Sequence, residues 1–500
     1  MDDRRSEDEL DRIADDMIEA GTQTPALHDP ALHDDTAPAA GEPPYPNRLY
    51  AWYVVGVLVL AYTFSFIDRQ ILSLLVVPIR RDLEISDTEM SLLIGFAFAL
   101  FYTVCGLPIG RLVDVQHRIR IIAIGIAFWS VMTALCGIAK TYWQLFAFRM
   151  GVGVGEAALS PAAYSILSDY FPPHQRGAAL GVYGTGVYIG AGLALVIGGI
   201  VVEMVSGVEH TILPVVGEVF AWQVVFFVVG LPGLLVALWA LTLKEPVRRG
   251  HTRKVTDAQG REKLASVPVA QVVSYMRANA LTLFSHHVGY ALCAMMAYGV
   301  AAWIPTFFIR THGWTAGEAG ILYGLIVVVF GTAGVVTGGY MADKLTQMGF
   351  RDGKMRVLLY GSLACIPFTV AYPFVDNAWL AMVLIAPSTF FATFCTGAGP
   401  AGVQEIMPNQ MRGQASAFMI FVVTIIGLGL GPTAIALVTD FGFGNDDMLY
   451  ASLAIVATSI LVLAALIIWI GLEPYKASRD YLEVWAGEHE KPEGAAIGAS

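Results

Sequence analysis

In this 500-residue chain, residues 65–75 read SFIDRQILSLL, setting Asp68 beside Arg69 in the middle of an apolar run over 50–79. A charge at the centre of a bilayer is costly unless it is paired or wet, so such residues are candidates for function. Adjacent residues on a helix point about 100° apart, so Asp68 and Arg69 cannot neutralise each other on one face. Each needs a partner elsewhere. A second apolar run, 142–168, holds Arg149 and Glu156 seven residues apart, on one helix face about 10.5 Å along the axis. Gly151, Gly153 and Gly155 strip that helix of bulk and let a neighbour approach closely. The chemistry expected of this set is proton exchange. Asp68 and Glu156 carry protons, while Arg69 and Arg149 hold the carboxylates ionised until a proton or substrate arrives, because burial favours the neutral carboxyl and a nearby guanidinium favours the charged one. The competing reading is a static ion-pair network that only orients the two helices.

The elements that must position these residues are membrane helices. The chain is 56% hydrophobic and 14% charged, a balance that suits a polytopic membrane protein rather than a soluble enzyme. Its net charge of -11 lies almost wholly in residues 1–47, which hold 13 Asp/Glu against 3 Arg. That stretch is expected to be a disordered acidic tail. Apolar runs long enough to cross a bilayer are expected over 50–79, 89–110, 119–139, 142–168, 178–203, 221–243, 280–309, 318–342, 355–374, 379–405, 414–439 and 448–472. Lys and Arg collect in the even-numbered connections, including Arg111, Arg118 and Arg120, Arg176, Lys344 to Arg356, and Arg412, whereas the odd-numbered ones are acidic or neutral. By the positive-inside rule both termini are cytoplasmic. The five cysteines fall in apolar runs without C-x-x-C spacing, so they read as packing residues, with no metal and no cofactor implied. "GVGVGE" is no phosphate loop, since no Gly-Lys-Ser/Thr follows it.

The basic stretch 244–278 divides the spans into two sets of six, and the sets echo each other. Gly110-x-x-x-Asp114 after the second span is matched by Gly339-x-x-x-Asp343 after the eighth. Asp169 and Arg176 after the fourth are matched, both at one offset along the chain, by Glu405 and Arg412 after the tenth. A repeat of this kind implies two similar bundles facing across a cavity. The expected architecture is therefore an all-α membrane protein with twelve transmembrane helices in two six-helix bundles. It divides into a tail (1–47), a first bundle (48–243), a cytoplasmic linker (244–278), a second bundle (279–472) and a cytoplasmic tail (473–500).

The stretch Gly110-x-Leu112-Val113-Asp114-x-x-x-Arg118-x-Arg120 resembles the loop signature of the major facilitator superfamily, and RMGVGVGEA (149–157) resembles its fourth-span signature. Val115 and His117 depart from the loop pattern, and Ala191 stands where a proline is common in the fifth-span antiporter signature. Within the superfamily, FIDRQILSLL together with GVGEAALSPAAYSILSDYFPPHQRG is similar to the spinster-type lipid transporters. The second resemblance is to the anion-cation symporters, which share an Asp-Arg pair in the first span. These resemblances imply a secondary transporter working by alternating access. Gly110, Asp114, Arg118, Arg120 and Asp343 are expected to close the cytoplasmic side, with Asp169–Arg176 and Glu405–Arg412 as further latches. The competing reading of the latches is a generic polar turn.

The choice of substrate rests on an absence. Between Asn279 and Gln404 the only Asn or Gln residues are Gln347 and Asn377, and no Asp, Glu, Lys or Arg falls mid-span. A sugar or small dianion needs several convergent polar groups to replace its water. A cavity charged on one bundle and apolar on the other suits an amphiphile with its head group near Arg69 and Arg149. The expected function is proton-coupled movement, as an exporter, of a lysophospholipid or sphingoid-like lipid, by a protein acting as a monomer, surrounded by membrane lipids and without a nucleic-acid partner. The alternative is a proton-driven symporter for a small organic anion such as a sugar acid. A membrane-embedded enzyme would need a nucleophile with its base or clustered metal ligands, and neither G-x-S-x-G nor histidines at i,i+4 occur in the spans. A receptor or scaffold has no use for membrane-centred acids in a repeated bundle. His286 and His287, at the start of the seventh span, are expected to be hydrogen-bonded at a helix end rather than to titrate in the cavity.

Overall fold

The computed structural model describes residues 44–205, 210–213, 217–248, 254–256, 262–264, 268–408 and 411–489. The acidic stretch over 1–47 therefore falls almost wholly outside the described residues. Eleven helices among the described residues are long and apolar enough to cross a membrane. They are α1 (Arg48–Leu74), α2 (Asp87–Val115), α3 (Arg118–Cys136), α5 (Gln175–Met204), α6 (Ala221–Ala240), α7 (Ala280–His312), α8 (Ala316–Gln347), α9 (Gly353–Phe374), α10 (Ala378–Ile406), α11 (Arg412–Phe443) and α12 (Asp446–Ile470). In place of the expected fourth span stand two shorter helices, α4a (Tyr142–Glu156) and α4b (Leu159–Tyr170). Pro161 explains the break, because its ring clashes with the carbonyl four residues back, that of Ala157. The chain therefore turns immediately after Glu156.

The first span ends earlier than its apolar run for the same reason. Pro78 opposes the carbonyl of Leu74, α1 tightens over Ile71–Leu74, and a separate helix Val76–Leu83 follows. That helix ends on Glu84 with φ 52°. Its repeat counterpart, at the matching place after α7, is Gly313 with φ 67°. The next helices open alike: Ser86 and Glu89 form a capping box at α2, and Thr315 and Glu318 form one at α8. Each box satisfies two orphan N–H groups reciprocally. The helical fold expected from sequence is joined by two short antiparallel hairpins in the connections, His210–Leu213 with Gly217–Phe220 and Lys254–Thr256 with Glu262–Leu264.

In the first bundle α1 packs on α5 and α6, and α3 on α4a and α6. In the second, α7 packs on α11 and α12, and α10 on α8 and α9. The bundles meet through α5 against α8, α2 against α11, and the tight end of α1 against α7. Gly95 of α2 faces the Gly429 carbonyl, 3.3 Å from where a Cβ would stand, in a wide π turn over Thr424–Gly429. That turn precedes Pro432, whose missing N–H leaves a carbonyl free, and such turns recur at functional sites. The helix Leu472–His489, which falls in the expected tail, docks on the second bundle: Tyr475 Oη donates to the Gly402 carbonyl at 2.8 Å, and Arg351 pairs with Asp480 at 2.6 Å.

Candidate functional site

The tight end of α1 and the last turn of α4a bring the charged set together. Glu156 Oε2 accepts from Ser65 Oγ at 2.5 Å and from Arg69 Nε at 2.6 Å, with Arg69 Nη2 at 2.5 Å. The partner that Arg69 needs is thus Glu156, one helix away. Arg69 lies over three rings, with Cζ 4.7 Å from Phe66, 4.4 Å from Phe98 and 5.0 Å from Tyr102, so the guanidinium is held by cation–π contacts as well as by its anion. Glu156 is buried, whereas the Arg69 side chain keeps 15% exposure. Of the pair, Arg69 is the reachable member.

Asp68 and Arg149 behave differently. Both are buried, but Arg149 Nη1 donates to the main-chain carbonyl of Asp68 at 3.1 Å and Nε to that of Leu93 at 3.4 Å. Asp68 Oδ1 and Arg149 Nη2 have no hydrogen-bond partner among the described residues. Arg149 thus cross-links the backbones of α1 and α2 and is fully buried in this structure. Gly153 allows this packing, because a Cβ there would stand 3.2 Å from Tyr102 N and closer still to the Phe98 carbonyl.

A cleft lined by Arg69, Gln70, Ser73, Phe98, Tyr298 and Pro432 lies between the bundles here, with ≈ 30 Å³ of free space. That is room for about two waters. Gln70 Nε2 bridges the bundles to the Ala301 carbonyl at 3.2 Å.

The bundles are latched on the far face, opposite the loops that follow α2 and α4b. Asp87 takes Arg310 on both oxygens, at 2.7 and 2.8 Å, and Arg80 at 2.9 Å. Arg80 reaches Asp446 at 2.6 Å. Asp440 Oδ2 accepts from Thr88 N at 2.7 Å and Thr88 Oγ1 at 2.6 Å. Carboxylate oxygens of Asp87, Asp440 and Asp446 lie within 4.8 Å of one another, and Arg80 and Arg310, paired with Asp87 and Asp446, offset two of the three charges. Sequence reasoning counted Arg80, Asp87, Asp440 and Asp446 only as connection charges and made no use of Arg310 or Thr88. The paired capping boxes were the signal that could have located them.

At the other face, the expected latches have exchanged partners. Asp169 pairs with Arg118 at 2.5 Å, not with Arg176, and buried Arg118 also holds Glu245 at 2.6 Å, Ser165 Oγ at 2.8 Å and the Pro246 carbonyl at 3.0 Å. Glu405 is met by Lys354 at 3.3 Å and Arg479 at 3.8 Å, not by Arg412. Arg118 and Lys354 are separated along the chain by the same interval as Asp169 and Glu405, so the repeat is kept with a different basic partner. Arg176 and Arg412 instead donate to carbonyls five residues back, those of Phe171 at 2.9 Å and Met407 at 3.2 Å. Asp343 reaches Lys354 at 3.1 Å. Asp114 and Arg120 are exposed, and a Cβ at Gly110 would meet open space. His286 and His287 are buried, and His286 Nε2 lies 2.9 Å from the Gly399 carbonyl.

Two helical bundles related by a repeat, meeting at one face and carrying intramembrane charge on one side of the seam, match a known family. Residues 58–432 match the Major Facilitator Superfamily. The chain belongs to this superfamily. It is therefore an integral multi-pass membrane transporter, not an enzyme. It is 28% identical over 446 residues to an MFS-type efflux pump of Mycolicibacterium smegmatis, covering 88% of this chain and 95% of that one. It is 24% identical over 412 residues to the spinster protein of Drosophila melanogaster, covering 79% and 64%, and 25% identical over 346 residues to a probable L-galactonate transporter of Escherichia coli, covering 68% and 72%. Among solved structures, a bacterial homologue of the human lysosomal transporter Spinster, inward-facing and unoccupied, aligns with TM-score 0.69 and 27% identity over 88% of this chain and 99% of that one. The spinster-type resemblance of the first and fourth spans is thus matched across the whole fold.

Proposed function

We propose that this protein is a proton-coupled secondary transporter that moves an amphiphilic lipid, a lysophospholipid or sphingoid-like molecule, across the membrane by alternating access, as an exporter. α4a and α4b together form the fourth of twelve spans, and both termini are cytoplasmic. In this reading the latched far face is the outer one and the cavity serves the cytoplasmic side; the solved bacterial Spinster homologue is inward-facing. The observation that carries the reading is the Arg69–Glu156 pair, buried on its acidic side and reachable on its basic side. An anionic head group that approaches Arg69 competes with Glu156 for the guanidinium. Glu156, losing its counterion, then favours the protonated form, so substrate arrival and proton uptake are linked at one residue. Asp68 is the second proton carrier, and Arg149 holds the α1–α2 packing against which both move.

The second bundle supports a lipid chain, since the positions facing the cleft there are Tyr298, Ala302, Leu428 and Pro432. The second reading, an organic-anion symporter, is favoured by the relatives named as L-galactonate and hexuronate transporters. The deciding experiment reconstitutes the protein in liposomes and follows fluorescent lysolipid with and without an imposed pH gradient, beside Asp68→Asn. Gradient-dependent movement lost in the variant supports the lipid reading. Gradient-driven uptake of hexuronate with no lysolipid movement overturns it in favour of the symporter.

A further inference from the structure

A proline inside a helix has no N–H to give to the carbonyl four residues back. Two prolines of the second bundle have this effect at the seam: Pro305 within α7 frees the Ala301 carbonyl, and Pro432 within α11 frees that of Leu428. The two carbonyls meet different fates. That of Leu428 is covered by α2, since a Cβ on Gly95 would collide with it. That of Ala301 is met by a side chain of the first bundle: Gln70 Nε2 donates to it at 3.2 Å and lies 3.2 Å from Ser73 Oγ. Gln70 and Ala301 are both only partly buried. Counting polar side chains along the second bundle overlooks this acceptor, because it is main chain.

Gln70 follows Arg69 on α1, and both line the cleft, with Tyr298, one turn before Ala301 on α7, on its other side. The first bundle therefore presents donors to the cleft, and the second presents an acceptor. We propose that the Ala301 carbonyl, covered by Gln70 until a ligand arrives, is a subsite that takes a primary ammonium or a hydroxyl carried by the ligand beside the anion bound at Arg69. The proposal rests on Arg69 as the anion site, but not on whether the rest of the ligand is a lipid chain or a sugar. A ligand with such a donor replaces the Gln70 amide and leaves the carbonyl satisfied. One without it either stops short of the subsite or strands a desolvated acceptor, and a polar site of this kind discriminates steeply against an analogue that lacks the matching group. The ≈ 30 Å³ of free space in the cleft fits an ammonium or a hydroxyl and is too small for a trimethylammonium group, so size and hydrogen bonding select the same head group.

The test measures binding, which needs neither a gradient nor turnover. Dissociation constants are read by intrinsic fluorescence, with the full chain in lipid nanodiscs, for lysophosphatidylethanolamine and lysophosphatidylcholine of one acyl chain, and for glucuronate and its O-methyl ether. A charged donor on the carbonyl in exchange for a neutral amide is expected to make the ethanolamine lipid bind about tenfold tighter than the choline lipid. Gln70→Leu, which removes the competing amide, is expected to raise that ratio a further two- to tenfold or about that. Pro305→Ala, which gives the carbonyl a helical N–H, is expected to lower the ratio toward one while leaving the choline lipid bound as in the parent, a readout that loss of folding would not produce. Should Pro305→Ala fail to fold, Gln70→Leu carries the test alone. Equal affinity for the two lysolipids in the parent and in Gln70→Leu overturns the subsite, and so does a ratio that neither variant moves, or binding of none of the four ligands. Binding of glucuronate but of neither lysolipid, with the ether rejected and that rejection strengthened by Gln70→Leu, leaves the subsite standing and removes only the lipid reading.

Discussion

Glu156→Gln and Asp68→Asn are similar changes chemically, yet the structure predicts unequal consequences for stability. Glu156 Oε2 alone collects Ser65 Oγ and two nitrogens of Arg69, all between 2.5 and 2.6 Å. Hydrogen bonds to a charged group contribute about 1.5–3 kcal/mol and neutral ones about 0.5–1.5. Glutamine keeps an acceptor in place but loses the charge, so each of three bonds weakens by about 1 kcal/mol. The total of about 3 kcal/mol matches the range of about 3–5 for leaving one member of a buried ion pair behind. Arg69's stacking on Phe66, Phe98 and Tyr102 retains part of its stabilisation, which places the cost at the lower end. For a bundle of roughly 200 residues this lowers Tm by about 6–12 °C.

Asp68→Asn removes no ion pair, because Arg149 binds the Asp68 main-chain carbonyl and Oδ1 has no partner to lose. Its expected cost is below about 1 kcal/mol, a Tm change within about 3 °C. The assay is thermal unfolding of purified protein in one detergent, followed by intrinsic fluorescence, with both variants beside the parent. If Asp68→Asn lowers Tm as far as Glu156→Gln does, then Asp68 is itself a paired carboxylate, and the division of labour between the two acids is wrong.

Arg118→Met should cost more than about 3 kcal/mol in thermal unfolding, since it takes the guanidinium away from Asp169, Glu245 and two further acceptors. Lys354→Met, at the matching position with partners at 3.1 and 3.3 Å, should cost about 1 kcal/mol in the same measurement. Gly153→Ala should separate α4a from α2 and cost about 1–3 kcal/mol, whereas Gly106→Ala, which meets open space, should be neutral or stabilise by up to about 1 kcal/mol. Glu84→Gly should raise stability by about 0.5–1 kcal/mol, because Glu84 holds φ 52° and glycine adopts that region freely; a lower Tm would show that its side chain has a compensating role. Truncation after Gly471 removes Tyr475 from the Gly402 carbonyl and Arg479 from Glu405. It should raise hydrogen exchange at the tail-face end of α10 while leaving α4b unchanged.

Composition and periodicity made the spans legible, and the requirement that an intramembrane charge be satisfied made the tetrad legible. What spacing along a helix does not encode is which helix stands beside it. Asp68 and Arg69 were equivalent in the sequence, and only the tightening of α1 before Pro78 and the break of α4 before Pro161 decide that Arg69 meets Glu156. The loop pairs show the same limit. Asp169 and Arg176 lie seven residues apart and invite each other, but the turn at Pro172 and the start of α5 put Arg176 Nε on the Phe171 carbonyl. Asp169 is left to Arg118 from α3. The far-face contacts were hidden because Arg80, Asp87, Asp440 and Asp446 counted only as connection charges, and their partners stand in the opposite bundle.

The repeat also locates where the halves stopped being equivalent. Its scaffold contacts are kept in kind: αL endings at Glu84 and Gly313, capping boxes at α2 and α8, a base gripping an acid at 118–169 and 354–405, and carbonyl-bound Arg176 and Arg412. The same offsets carry the charged set onto uncharged residues. Asp68 and Arg69 fall on Ala297 and Tyr298, and Arg149 and Glu156 on Ile385 and Ala392. Arg69 and its counterpart Tyr298 then line the same cleft from opposite sides. Structural ion pairs needed to hold a bundle together would be wanted in both halves, as those at the loops are. The Arg69–Glu156 pair, present in one half only, is not required by the fold that both halves share, whereas Arg149 serves the α1–α2 packing. That asymmetry weighs against the static-network reading and for a role in moving a charged head group past an otherwise neutral wall.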